Sequence, residues 1–151
     1  MNGSKKICEE TERLRPQLIQ LSHSIHDEPE IGFQEFKSAA KICDFLEKQG
    51  FETERGYCDL PTSFKAVKKG TGKGPVVAFL AEYDALRGVG HGCGHNVIAT
   101  CASGAFASLA KYLWKWELQE KFGSLELLQK KAVPERLLCW NGAALMEWIL
   151  H

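Results

Sequence analysis

The sequence has no long apolar run and no excess of either charge. Its 151 residues include 19 basic and 19 acidic side chains, so the formal net charge is zero. Without a basic stripe there is no surface that would follow a phosphate backbone, and we expect no nucleic-acid partner. No window looks apolar for long enough to cross a bilayer, and the charged N-terminus does not resemble a signal peptide. These absences predict a cytoplasmic protein with no membrane partner.

Paired CxxC motifs, the usual mark of a structural zinc site, are also missing. The six cysteines are Cys8, Cys43, Cys58, Cys93, Cys101 and Cys139. In a reducing compartment they are expected to be free thiols rather than a disulfide framework. With 44% hydrophobic and 25% charged residues, the composition is that of one globular domain able to bury a core.

Hydrophobic periodicity predicts three helices and three strands. The helices cover residues 9–25, 34–49 and 96 to about 116, and the second ends before Gly50. Segments 51–57 and 62–67 alternate as strands do, and the apolar run 75–83 predicts a strand buried on both faces. Helices alternating with strands predict an α/β class, here a partial layered sheet with flanking helices.

A glycine-rich polar segment, AEYDALRGVGHGCGHN at 81–96, follows the apolar strand directly. Its candidate metal donors are Glu82, Asp84, His91, Cys93 and His95. Ligand sites of α/β sheets lie at the carboxyl ends of strands, and thiolate, imidazole and carboxylate groups bind zinc. The spacing alone leaves a second interpretation open, in which Cys93 and His95 cap the third helix and Asp84 accepts hydrogen bonds from turn amides.

Three ordered motifs resemble the amidohydrolase branch of peptidase family M20. They are HDEPEIGFQE at 26–35, LAEYDAL at 80–86 and GHGCGHNVIA at 90–99, within a resemblance that spans residues 14–111. That branch contains aminoacylase-like hydrolases, hippurate and aminobenzoyl-glutamate hydrolases, and a dipeptidase acting on β-alanyl-lysine. The resemblance implies that the chain is the N-terminal part of a zinc-peptidase catalytic domain.

The resemblance also implies roles for the residues that match. Cys93 and His95 fall where the family has metal ligands, and Asp84 falls on the aspartate that supports the metal site. The neighbours expected to assist them are Glu82, His91 and Asn96. The implied cofactor is zinc or another divalent metal such as manganese or cobalt, and the implied substrate of complete relatives is a dipeptide or an N-acyl amino acid.

Other matching positions are expected to be structural. His26 and Glu30 belong to the first motif. Its expected role is to pack the end of the first helix against the metal loop, the segment 81–96, and not to take part in catalysis. Arg87 stands where the family usually has proline, so the turn that follows Asp84 is expected to be looser here.

The family's general base comes from a Gly-Thr-Pro-Ala-Glu-Glu segment beyond the third helix, and this sequence does not contain it. A shifted reading frame joins the third base of each codon to the first two bases of the next. In that frame, codons for residues 125–132 could encode the Gly-Thr-Pro-Ala-Glu-Glu segment. We therefore divide the chain into 1–112, part of the catalytic domain, and a divergent tail, 113–151, read in a shifted frame. Codons for residues 126–131 that cannot spell Thr-Pro-Ala-Glu-Glu would disprove the shift.

Two functional classes follow, together with a weaker third. The first is a metal-dependent dipeptidase or amidohydrolase, and the second is a truncated, inactive isoform acting as an interaction or decoy module. The third is a small metal or redox module that uses Cys93, His95 and Cys101. Complete relatives are expected to form homo-oligomers through a lobe that this sequence lacks. We also expect low solubility, because strand 75–83 would have an unpaired edge.

Overall fold

The computed structural model describes residues 3–115 and 118–129. Its helices are α1 (Gly3–His26), α2 (Phe36–Lys48) and α3 (His95–Lys115). Its strands are β1 (Glu52–Arg55), β2 (Phe64–Lys69), β3 (Val76–Ala81) and β4 (Ser124–Gln129). Short 3-10 turns lie at Tyr57–Asp59 and Gln119–Lys121. The predicted α/β class, a sheet with flanking helices, is confirmed.

The helices form where the sequence places apolar residues on one face. In α2, Ile42 and Leu46 are fully buried, and the helix ends before Gly50, whose φ of 85° suits glycine. Helix α1 begins at Gly3, earlier than predicted, because its first turn packs on α3. A Cβ at Gly3 would lie 2.7 Å from the Tyr112 hydroxyl.

The sheet has the order β1-β2-β4-β3. Strand β2 pairs antiparallel with both β1 and β4, whereas β3 and β4 run parallel. The α3 crossover joins this parallel pair, as the connection between parallel strands requires. Segment 124–129, which falls in the predicted divergent tail, therefore lies inside the sheet, and α3 crosses the proposed boundary at 112. Residues 130–151 of that tail lie outside the described residues, and the frame change stays a prediction.

One core joins the three helices to one face of the sheet. Fully buried members include Leu14 and Ile25 of α1, Phe106 of α3, and Phe64 and Leu127 from paired strands. The prediction that the apolar strand is buried on both faces is wrong for the part of the chain that the structure describes. Val76 is 42% exposed, and Ala81 alone in β3 is buried. The reason is that side chains alternate along the strand: Val77 and Phe79 pack against the core, whereas Val76, Ala78 and Leu80 lie on the other face of the sheet.

Helix α3 departs from the expectation that no window could cross a bilayer. The helix is long and apolar enough for a membrane span by length and composition. Half of its apolar stretch is buried inside the domain, where α3 packs against α1 and β3. A core helix needs the same composition, so packing accounts for its apolar character.

Candidate metal centre

The loop between β3 and α3 folds back on itself and brings its two ends together. Leu86 and Gly90 exchange two backbone hydrogen bonds, of 2.8 and 2.9 Å, which close the turn. Gly88, Gly90 and Gly94 have φ values of 74°, 70° and 78°, in the left-handed region that side chains rarely adopt. The glycines of this loop therefore have a conformational role, since they let the backbone turn tightly.

His95, at the start of α3, lies between two carboxylates from the end of β3. Its Nδ1 is 3.0 Å from Asp84 Oδ1 and 2.9 Å from the Asp84 carbonyl oxygen, while its Nε2 is 3.3 Å from Glu82 Oε2. Because a carbonyl oxygen can only accept, Nδ1 carries the proton in this arrangement. Asp84 thus fixes the orientation of the imidazole, and Nε2 faces Glu82.

Cys93 approaches the same point from the loop. Its thiol is exposed, and Sγ lies 3.9 Å from the Asp84 carbonyl oxygen, within reach of a weak S–H hydrogen bond. Cys93 and His95 therefore both contact the carbonyl oxygen of Asp84. They reach it because the loop folds back between Asp84 and Cys93. The structure brings together four of the predicted residues: Glu82, Asp84, Cys93 and His95.

The donor types in this cluster suit a divalent metal such as zinc. His95 Nε2 and Glu82 Oε2 lie 3.3 Å apart, so a carboxylate faces the ring nitrogen that carries no proton. Within residues 3–115 and 118–129, however, no group of three His, Cys, Asp or Glu side chains is placed to hold an ion. The donor chemistry of the described residues therefore fits a divalent metal, although they do not by themselves supply three placed ligands.

His91, another predicted neighbour, packs against the end of α1. Its ring is buried against the end of α1, with its centroid 6.3 Å from that of His26. Burial lowers the pKa of His91, and the nearby His26 lowers it further, so the neutral imidazole is favoured near pH 7. His91 therefore joins the loop to the first motif.

Asn96 also contacts α1 and not the metal donors. Its side-chain amide donates to the Ser22 hydroxyl at 3.1 Å and to the Ser22 carbonyl at 3.4 Å. Together with His91, it fastens the loop and the start of α3 to the last turns of α1. Sequence reasoning did not single out Ser22, and a lone serine on a helix carries no signal that could have done so.

The first motif meets the loop through its backbone. The Ala85 amide donates to the Glu30 carbonyl at 2.7 Å, and Ile31 and Ala85 form a parallel bridge. The Glu30 carboxylate caps α2 through the amides of Lys37 and Ser38, a role that the sequence pattern does not indicate. The first motif therefore lies against the metal loop, as the resemblance implied for it.

No family model matches the chain. It is 37% identical to one subunit of the p-aminobenzoyl-glutamate hydrolase of Escherichia coli over 66% of its own length and 24% of that protein. It is 35% identical to the Xaa-Arg dipeptidase of Mus musculus over 64% of the chain and 23% of the relative. The chain thus spans about a quarter of these relatives.

A solved structure of a peptidase also resembles the chain. A dinuclear metal-binding peptidase of the M20 family from Bacillus subtilis superposes with a TM-score of 0.67 and 28% identity, covering 80% of this chain and 36% of that one. The chain belongs to the M20 family of peptidases and amidohydrolases.

Proposed function

We propose that this chain carries part of the metal centre of an M20 hydrolase, whose complete form cleaves the amide bond of dipeptides or N-acyl amino acids. The observation that carries this proposal is the meeting of His95, Asp84 and Cys93 where β3 ends. The names of two relatives support the substrate class, since they denote hydrolysis of p-aminobenzoyl-glutamate and of Xaa-Arg dipeptides.

Within this proposal each residue has one task. Cys93 and His95 would hold the ion, and Asp84 keeps the His95 ring oriented by accepting from Nδ1, as carboxylates commonly do for metal-binding histidines. Glu82 adds a negative charge beside Nε2. When bound, a divalent ion such as zinc, manganese or cobalt supplies the acidity that makes a water molecule nucleophilic near neutral pH.

We also propose that the 151-residue chain alone does not hydrolyse these substrates. The sequence has no Gly-Thr-Pro-Ala-Glu-Glu segment to supply the general base, and the described donors do not form a set of three. Proton transfer by a placed base is worth about 10²–10⁴-fold in rate, so its loss alone would lower turnover severely.

The test combines metal binding with turnover. Purified chain is dialysed against Zn²⁺, Mn²⁺ or Co²⁺ and then assayed with p-aminobenzoyl-glutamate, Xaa-Arg dipeptides and N-acyl amino acids. We expect the unaltered chain to bind metal but not to hydrolyse any of these substrates. The Cys93→Ala variant should bind metal more than about tenfold more weakly. Cys101→Ala is the matched control, because it removes another exposed thiol outside the loop.

The outcomes separate the two parts of the proposal. Equal metal binding by the chain and its Cys93→Ala variant would disprove the assignment of Cys93. Turnover that Cys93→Ala abolishes and Cys101→Ala preserves would disprove the inactivity and point to a base among the residues present.

A further inference from the structure

Glu30 lies in the connection between α1 and α2, and its carboxylate is held by three hydrogen bonds. Oε1 accepts from the Lys37 amide at 3.1 Å, and Oε2 accepts from the Ser38 amide and hydroxyl, each at 2.8 Å. The residue at the N-cap position of α2, Glu35, makes no capping bond with its side chain. Glu30 therefore satisfies the free amides of the first turn of α2 in its place.

The backbone of the same residue holds the metal loop. The Glu30 carbonyl accepts from the Ala85 amide at 2.7 Å, and Ala85 follows Asp84 directly in the chain. Asp84 in turn orients His95 through Nδ1. Glu30 thus links two parts of the structure. Its side chain binds the first turn of α2, and its main chain binds the loop of the candidate metal centre.

We propose that Glu30 is a positioning residue for the metal centre, and this inference rests on the proposed function. The α2 amides fix the Glu30 carboxylate, and this restricts how far the main chain at Glu30, including its carbonyl, can move. That carbonyl sets the position of Ala85, and hence of the Asp84 oxygens that His95 and Cys93 contact. Without the carboxylate, the 27–35 connection keeps the Glu28 ion pairs with Lys37 and Lys41 but loses its hydrogen bonds to the first-turn amides of α2, and the Glu30 carbonyl is no longer held in place for Ala85.

The first measurement is Co²⁺ titration, followed by the thiolate-to-cobalt absorption band that Cys93 would produce. Glu30→Gln and Glu30→Ala are expected to weaken Co²⁺ binding by about 10–100-fold, the range found when groups that orient metal ligands are removed. Ser38→Ala is a milder variant, since it removes one of the three hydrogen bonds. We expect it to weaken binding by a smaller factor.

Two controls separate positioning from general loss of stability. Glu28→Gln removes a carboxylate from the same connection, but one that pairs with the side chains of Lys37 and Lys41. Ile42→Val destabilises the buried face of α2 without touching the connection. Both are expected to bind Co²⁺ within about twofold of the unaltered chain at a temperature where every variant is folded.

The second measurement needs no metal. Hydrogen exchange of the Ala85 amide reports the bond to the Glu30 carbonyl directly, and we expect it to be at least about tenfold faster in Glu30→Gln than in Glu28→Gln.

The two measurements have distinguishable outcomes. Slower or unchanged Ala85 exchange in Glu30→Gln, or Co²⁺ binding that matches the controls, overturns the role of Glu30 while the metal centre stands. Fast Ala85 exchange in Glu30→Gln with no cobalt band in any chain supports the connection but overturns the metal assignment of Cys93, and with it the proposed function.

Discussion

Cys43 and Cys93 show how burial separates residues of the same type. Cys43 is fully buried in α2, and burial raises the pKa of its thiol, whereas Cys8, Cys93 and Cys101 are exposed. Thiolate is the reactive form, so we expect iodoacetamide at pH 8 to label the three exposed cysteines at least about tenfold faster than Cys43. Peptide mass spectrometry checks this, with urea-unfolded chain as the control. Equal rates in the folded chain would contradict the buried position of Cys43.

Burial of Tyr83 makes the stability of the folded state depend on pH. Its hydroxyl is buried and donates to the Thr62 carbonyl at 2.7 Å, and burial raises its pKa well above the ordinary value of 10. The folded state therefore keeps a proton that the unfolded state loses. Stability from Tyr83 is present below about pH 10 and falls by up to about 1.4 kcal/mol per pH unit above it.

Urea unfolding between pH 9 and 11 measures this slope. The Tyr83→Phe variant should be less stable by about 1 kcal/mol at pH 8 but should lose less stability on going to pH 11. Parallel pH profiles for the two proteins would show that Tyr83 ionises normally in the folded state.

At the scale of elements, α1 and α3 approach closely at Gly104. A Cβ there would lie 2.9 Å from Leu18 Cδ1, so the Leu18 side chain must move to make room for a larger residue. We expect Gly104→Leu to lower the free energy of unfolding by about 1–3 kcal/mol, although leucine favours helix more than glycine. Ala105→Leu, at the next and exposed position, should change it by less than about 0.5 kcal/mol. Equal effects in urea unfolding would disprove the close approach.

The elements themselves followed the sequence pattern closely. The apolar periodicity of α2 predicted both its extent and its end before Gly50, because amphipathic spacing and a left-handed stop are local properties. Segment 124–129 instead falls in the predicted divergent tail, and its six residues form β4. Its pairing with β2 and β3 is long-range, and no local pattern contains that information.

At the scale of the whole molecule, β3 lies at the sheet edge, and in the described residues no strand pairs with its outer side. Because an unpaired strand edge favours self-association, we predict low solubility for the isolated chain. Val76→Lys places a charge on this edge, where Val76 is 42% exposed, and should raise the soluble monomer fraction measured by size exclusion. Thr71→Lys adds the same charge in the exposed β2–β3 loop and should have less effect. Equal gains from both would assign the improvement to net charge alone.

The sequence by itself determined the α/β class, the extents of α2 and α3 and the family, because periodicity and short motifs are written locally. It also placed Asp84, Cys93 and His95 in one loop. Tertiary structure alone decided that Asp84 would orient the His95 ring, that His91 and Asn96 would turn to α1, and that Glu30 would join α2 to the loop. The physical reason is that side-chain partners depend on which elements pack together, and packing joins residues far apart in the chain.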